Sequence, residues 1–488
     1  MQTKLLFPYK ENISPELTKH TLYATRSSHH NALRVYTSYN KKIRKRAMQT
    51  EIIDIERLGT DADAVGHLNN GKTVFVPLGC PGDKVEIEIT KEQDRFARGF
   101  IANIIEPSPL RVAPRCTYFE ECGGCDWQHV SYDYQLKAKR QSVVDALARI
   151  GKIEHADELV SACVASKHEY NYRNKIELAA HEVGSSLEIG FNKRKSDQLI
   201  KNESCPLFAK KFEKAPKALR GSLRFLLQNK NYAPLLRIGI RAATNTSDCE
   251  VALYTPPGPF PRAQAVKIIR QALPKATSIV RVLLKGNAAE RKVHKVEVLH
   301  GKGGIEEKLN GFTYHLSAPS FWQVNSRGAE VLVETVLDFL DVNGTDFVVD
   351  LYAGAGTFTL PLAARAESVA AVESYGPAVR DLRKNLERND LYAEVIGGDA
   401  AREIAHFKHI DALVVDPPRS GLDKAVVDAL LNLKGLQKIA YVSCNPSTLA
   451  RDLEQLTKKY TIAQVVPVDL FPQTNHVETV VLMSRAKE

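Results

Sequence analysis

The chain predicts an α/β protein in three parts: an N-terminal all-β barrel, a central α+β region, and a C-terminal domain built on a doubly wound parallel sheet. Three observations carry this. Residues 50 to 105 are short apolar-alternating runs cut by turn signals, the pattern of a small barrel. From about 168 to 305 strand and helix patterns mix. After residue 345 the order becomes strand, helix, strand, helix, which requires crossover connections and a parallel sheet.

Residues 1–47 hold ten Lys/Arg and two Glu, so of the formal charge of +10 only +2 belongs to the rest of the chain. Overall basicity therefore does not identify a partner; clustering does. The patterned sequence begins directly after Met48, so the extension 1–47 is read as an over-extended start, with a disordered basic arm or a targeting segment as alternatives. No apolar run reaches membrane length, and eight cysteines in 488 residues do not form a disulfide scaffold. A reducing cytoplasm follows as the default.

The barrel is assigned to 48–108, with strands at 51–55, 73–76, 84–90 and 100–105, separated by Asn69-Asn70-Gly71 and by Gly79-Cys80-Pro81-Gly82. Pro107, Pro109 and Pro114 lead into the cysteine segment of a central region, 109–308. There Cys116, Cys122 and Cys125 are spaced by five and two residues, and Gly123-Gly124 let the backbone fold tightly. Structural zinc and a cubane iron–sulfur cluster both need a fourth ligand, for which Cys205, before Pro206, is the candidate. Cys80, Cys163 and Cys249 read as ordinary thiols. A helix is expected over 131–151, ending at Gly151. Residues 193–230 carry eleven Lys/Arg against three Asp/Glu, a solvated face or a phosphate-contacting surface.

The C-terminal domain is assigned to 309–488. Its first strand ends in Asp350-Leu-Tyr352-Ala-Gly354-Ala-Gly356, a turn where backbone approaches a ligand closely. Glu373 ends the next strand, at the distance where an acidic side chain accepts ribose hydroxyls. Ligands bind at the carboxyl ends of such strands, where Gly354, Glu373, Asp399 and Asp416 all fall. Asp416-Pro-Pro-Arg419 lies at one strand end, and the next strand delivers Cys444 in Ser443-Cys444-Asn445-Pro446 as a low-pKa thiolate nucleophile. Asp469-Leu-Phe-Pro472-Gln-Thr-Asn-His476-Val-Glu478 brings Glu478, with His476, as proton acceptors.

Singly, each of these residues has an ordinary explanation: a buried Cys is usually core and a Glu before a strand is usually a surface charge. Together they meet the demands of one reaction. Carbon 5 of uracil takes a methyl group only after a thiolate has added at carbon 6, and a base must then remove the carbon 5 proton. One Cys, one carboxylate and one sulfonium donor suffice.

These motifs, with Ser320-Phe321-Trp-Gln323-Val-Asn325, the cysteine set and the leading barrel, resemble the RNA uridine-5 methyltransferases that carry a TRAM domain, and among them the 23S rRNA enzymes. The resemblance runs from about residue 50 to the end and implies that the helix near 131–151 joins the catalytic domain. It implies a Rossmann-like catalytic domain that binds S-adenosyl-L-methionine through Gln323, Tyr352, Glu373 and Asp416, beside the Gly354 and Gly356 cradle and Asp399. Cys444 is then the nucleophile and Glu478 the base, and Cys116, Cys122, Cys125 and Cys205 hold a 4Fe-4S cluster. RNA is the implied partner, the barrel grips it, Phe321 or Trp322 replaces stacking lost by a flipped uridine, and a monomer is expected. Tyr352 and Thr357 stand where relatives often have Phe and Asn. The alternatives are the same chemistry on tRNA, an amino-group methyltransferase, which Arg419 and Cys444 speak against, and a non-catalytic RNA-binding iron–sulfur protein.

Overall fold

A computed structural model describes residues 49–184, 186–287 and 291–486; the reading of the N-terminal extension lies outside them. Five strands, β1 (Thr50–Leu58), β2 (Ala64–His67), β3 (Thr73–Val76), β4 (Lys84–Glu92) and β5 (Phe96–Glu106), close into a barrel in the order β1-β2-β3-β5-β4. The alternation in β4 sets its faces: Val85 and Ile87 are fully buried while Lys84, Glu86 and Glu88 stay partly exposed. Trp127 and Val130, from beyond the prolines, complete the barrel core. Arg111 pairs with the fully buried Asp83, which also accepts from the backbone of Cys80 and Ser108, so the linker is fastened to the barrel.

The central region is a seven-stranded sheet, order β12-β11-β10-β9-β6-β7-β8, made from β6 (Lys175–Val183), β7 (Ser186–Asn192), β8 (Leu199–Ile200), β9 (Arg237–Ala242), β10 (Cys249–Thr255), β11 (Ser278–Lys285) and β12 (Lys292–His300). Strand alternation gives its two faces different tasks. Ile238 and Ile240 of β9 pack under the helices Ala215–Leu227 and Arg262–Ala272. Arg241 on the other face donates to the Ser317 and Ser320 carbonyls at 3.0 and 2.7 Å. The hairpin β13 (Ile305–Leu309) and β14 (Phe312–Leu316) leads into that Ser317–Ser320 segment.

The last seven strands are β15 (Phe347–Leu351), β16 (Ser368–Val372), β17 (Glu394–Ile396), β18 (Ala412–Val415), β19 (Lys438–Ser443), β20 (Tyr460–Val468) and β21 (Glu478–Arg485). They form one sheet in the order β17-β16-β15-β18-β19-β21-β20, parallel except for the antiparallel β21. The order reverses between β15 and β18, which puts the ligand crevice at their carboxyl ends. The helix Tyr132–Arg149 joins this layer, with Val143, Val144 and Leu147 in one core with Leu449, Leu453, Val465 and Val481. Among the described residues no helix is long and apolar enough to cross a membrane.

Candidate active site

Two neighbouring strand ends bring the chemistry together. Ser443 of β19 pairs with Thr479 of β21, so Cys444, one residue past the first, stands beside Glu478, one residue before the second. Asp416 leaves β18 in the adjacent position, its backbone N–H donating to the Leu351 carbonyl at 3.3 Å. The Arg419 carbonyl accepts from Asn445 Nδ2 at 3.0 Å and from the Thr448 hydroxyl at 3.2 Å, which ties the Asp416-Pro-Pro-Arg419 turn to the residues after the cysteine. Asn445 also caps the helix Pro446–Leu456 by accepting from Ser447 N at 3.1 Å. The Arg419 guanidinium reaches His476 Nδ1 at 3.4 Å.

This pocket disfavours charge. Burial, the Glu478 carboxylate and the Asp416 carboxylate together push the Cys444 thiol up to about 11, against a partial offset from Arg419. Burial raises Asp416 to about 7, and burial with the neighbouring Asp416 holds Glu478 well above the carboxylate range. The expectation of a low-pKa thiolate is therefore corrected. In the protein alone Cys444 is a thiol, because two carboxylates and little water outweigh one guanidinium.

The residues expected around the cofactor lie along the same edge. Tyr352 (φ 65°), Gly354 (φ 56°) and Gly356 (φ 98°) all adopt left-handed backbone directly after β15. A Cβ at Gly354 would meet nothing within 4 Å, whereas one at Gly356 would strike Leu360 and Leu382 at 2.6 Å. Gly354 therefore keeps an open approach to backbone, and Gly356 serves close packing. Beneath the turn, the fully buried Asp350 accepts from the Thr359 hydroxyl at 2.5 Å while its Oδ1 has no partner. Glu373 accepts from Gly354 N at 2.9 Å and Tyr375 N at 2.6 Å, one bond to each oxygen, which leaves lone pairs on both. Gln323 is buried, its Nε2 lies 3.5 Å from Asp416 Oδ2, and its carbonyl accepts from Asn174 Nδ2 at 2.9 Å. Asp399 is exposed and caps the short helix Ala400–Glu403 through Oδ1. Phe321 is 65% exposed, while Trp322 is 3% exposed and packs on Tyr314, so of the two only Phe321 presents a ring to an incoming base.

Cys116, Cys122, Cys125 and Cys205 line a single cavity of about 380 Å³, together with Gln128 and Arg173. Among the described residues no three His, Cys, Asp or Glu stand close enough to hold one metal ion. Buried in the structure and without partners are Gln128 Nε2 and Arg173 Nε. Burial raises all four thiols, Cys116 to about 11.

In the basic run Lys193, Arg194 and Lys195 meet Glu121, Asp126 and Asp63 beside the cysteines, and Lys217, on the helix Ala215–Leu227, meets Glu203, whose backbone N–H donates to the Tyr118 hydroxyl at 3.3 Å. Sequence reading missed the residues that hold the site from outside its motifs. Arg241 and Asn174 fix the Ser317–Gln323 segment, and Asp381 accepts from the Ser317 and Ser320 hydroxyls at 2.7 and 2.5 Å. No local pattern marks them, since each acts across at least 60 positions of chain.

Comparison with known proteins agrees with this geometry. Residues 262–486 match the tRNA (Uracil-5-)-methyltransferase family, and residues 44–101 match the TRAM domain. An uncharacterized RNA methyltransferase of Listeria innocua is 33% identical over 445 residues, 89% of this chain and 97% of that protein. One of Clostridium tetani is 34% identical over 444 residues, 88% of this chain and 95% of that protein. Among solved structures, the Pyrococcus abyssi tRNA (uracil-54, C5)-methyltransferase in complex with S-adenosyl-L-homocysteine superposes with a TM-score of 0.68 at 28% identity, covering 89% of this chain and all of that one. With a closed barrel at one end, a doubly wound sheet at the other and a cysteine beside a carboxylate at the sheet edge, the chain belongs to the TRAM-containing family of S-adenosylmethionine-dependent RNA (uracil-5-)-methyltransferases.

Proposed function

We propose that the enzyme methylates carbon 5 of a uridine in 23S rRNA, with Cys444 as nucleophile and Glu478 as proton acceptor. The observation that carries this is the Ser443–Thr479 register, which sets a thiol and a carboxyl group side by side at the ligand edge of the sheet. The Cys444 sulfur adds to carbon 6, and the electron pair of the 5,6 double bond moves to carbon 5 and its conjugated carbonyl. S-adenosyl-L-methionine supplies an electrophilic methyl group and a positive charge. Carbon 5 takes the methyl group; Glu478 then takes the carbon 5 proton, the 5,6 double bond re-forms, and the carbon–sulfur bond breaks to release Cys444. Because Cys444 starts as a thiol, its proton must leave the sulfur as the carbon–sulfur bond forms; Asp416, raised to about 7 in the same pocket, is assigned to take it, which keeps Glu478 for the carbon 5 proton. Positive charge next to Cys444, Asp416 and Glu478 favours that loss.

The cofactor is assigned to the open backbone at Gly354 and Gly356, to Glu373 for the ribose hydroxyls, and to Tyr352, Gln323, Asp416 and Asp399 around it. The domain boundaries 48–108, 109–308 and 309–488 are kept, with the helix Tyr132–Arg149 assigned to the catalytic layer. We assign Cys116, Cys122, Cys125 and Cys205 to a 4Fe-4S cluster. The cavity takes a group larger than one ion, and Gln128 Nε2 and Arg173 Nε are spare donors for an anionic centre. Purified anaerobically, the protein is expected to carry about four iron and four acid-labile sulfide per chain. Loss of both in Cys205→Ser is the expected result, and full retention would remove Cys205 from the ligand set.

A second reading, tRNA as substrate, is favoured by the superposition on a tRNA enzyme. The basic run 193–230 offers RNA phosphate contacts in either case. The deciding experiment mixes enzyme and S-adenosylmethionine with 5-fluorouridine-substituted 23S rRNA fragments or tRNA. Fluorine at carbon 5 cannot leave as a proton does, so the true substrate is expected to give a denaturation-resistant protein–RNA band. A band with tRNA alone would overturn the rRNA assignment, and no band with either would overturn the thiol mechanism.

A further inference from the structure

The loop that delivers Glu478 is fastened at four successive carbonyls by segments far from it in the chain. The Leu470 carbonyl accepts from Asn325 Nδ2 at 3.1 Å, Phe471 from Lys139 Nζ at 3.0 Å, and Pro472 from the Tyr172 hydroxyl at 3.0 Å. The Gln473 carbonyl accepts from the backbone N–H of both Asp126 and Trp127, each at 3.0 Å. At the start of the loop Lys139 and Asp469 form an ion pair of 2.6 Å with both side chains fully buried.

Gln473 is the hub of this set. It is 2% exposed and its φ of 71° is left-handed, a costly conformation for a residue with a side chain, kept only where the surroundings over-determine it. Its side-chain oxygen accepts from Gln135 Nε2 at 3.1 Å, and its own backbone N–H donates to Gln135 Oε1 at 3.0 Å, across 338 positions. Asp126, the donor to its carbonyl, directly follows Cys125, and Arg194 fixes that stretch by donating to Asp126 Oδ1 at 2.7 Å and to the Cys125 carbonyl at 2.5 Å. Cys444 is held instead at the end of β19 by the Arg419 and Asn445 contacts, which the loop meets through His476 on the Arg419 guanidinium at 3.4 Å.

We propose that Gln473 is a positioning residue that ties the backbone beside Cys125 to Glu478, so that an ordered cysteine segment is needed for the RNA adduct to resolve but not for it to form. The inference rests on Glu478 being the proton acceptor, and it gives the cysteine centre a mechanical task in a reaction that transfers no electrons.

The test follows single-turnover adduct formation and decay on ordinary uridine RNA in the iron-loaded wild type, Gln473→Ala, Gln135→Met and Glu478→Gln. In Gln473→Ala and Gln135→Met we expect unchanged cofactor affinity, iron content and rate of adduct formation, with decay slowed roughly 10- to 100-fold, the cost of a misplacement of about 1 Å. Gln135→Met leaves the loop sequence intact and carries the test if Gln473→Ala does not fold. Formation and decay falling together, or decay at the wild-type rate, would overturn the coupling. Wild-type decay in Glu478→Gln would instead overturn the assignment of the base on which it rests.

Discussion

Cys444→Ala is expected to abolish methyl transfer, with a loss on the order of 10⁵- to 10⁶-fold in kcat, while S-adenosylmethionine still binds with its wild-type affinity. The loss is large because nothing else at the sheet edge can add to carbon 6. His476 and Arg419 face one another at 3.4 Å, and the remaining groups are carboxyls with weak affinity for carbon. Cofactor binding persists because Gly354, Glu373 and Gln323 belong to the ends and approaches of other strands and share no hydrogen bond with the cysteine. Calorimetric titration with cofactor and the fluorouridine trap separate the two effects. A Cys444→Ala protein that still methylates would end the thiol mechanism.

The same residue gives the adduct-forming step a pH dependence. With the thiol pushed up to about 11, the thiolate fraction in the cofactor-free protein is small at pH 7 and grows about tenfold per pH unit below that value. Alkylation of Cys444 in the empty enzyme should therefore accelerate steadily from pH 7 to 10, and bound cofactor should move the inflection down. An inflection already below pH 8 without cofactor would show that the thiolate is preformed.

How much of this was legible in the sequence follows from the range of each signal. The strand-to-helix turn at Asp350–Gly356, the strand ends at Asp416 and Cys444, and the alternation of β4 are local patterns, and each stands where its spacing put it. The pairing of β21 between β19 and β20 is not local, yet it alone makes neighbours of Cys444 and Glu478, 34 positions apart. The thiol's raised pKa was misjudged because motif spacing records which groups meet but not how much water they lose. Charge density along the chain likewise does not tell which cations are already paired: Lys193, Arg194, Lys195 and Lys217 each face a carboxylate. Gln135, Lys139 and Gln473 carry no pattern at all, being single polar residues that meet one another's segments across more than 300 positions.

Glu478→Gln should fail at the opposite end of the reaction. Addition at carbon 6 and transfer of the methyl group need no proton acceptor at carbon 5, so the variant is expected to reach the methylated covalent adduct and stop there, with turnover reduced about 10²- to 10⁴-fold. Gln fills the same buried site, 2% exposed in the wild type, without the charge that makes a carboxylate costly there. It also removes one of the two carboxyl groups that raise the Cys444 thiol, so the first step should keep its rate or gain. The combination is diagnostic: a denaturation-resistant band on ordinary uridine RNA, carrying a methyl group from labelled cofactor, in a variant that turns over poorly. No band at all would place Glu478 before the addition, as the group that relieves Cys444 of its proton. Its neighbour Asp416, raised to about 7 in the same pocket, would then be left as the acceptor for carbon 5.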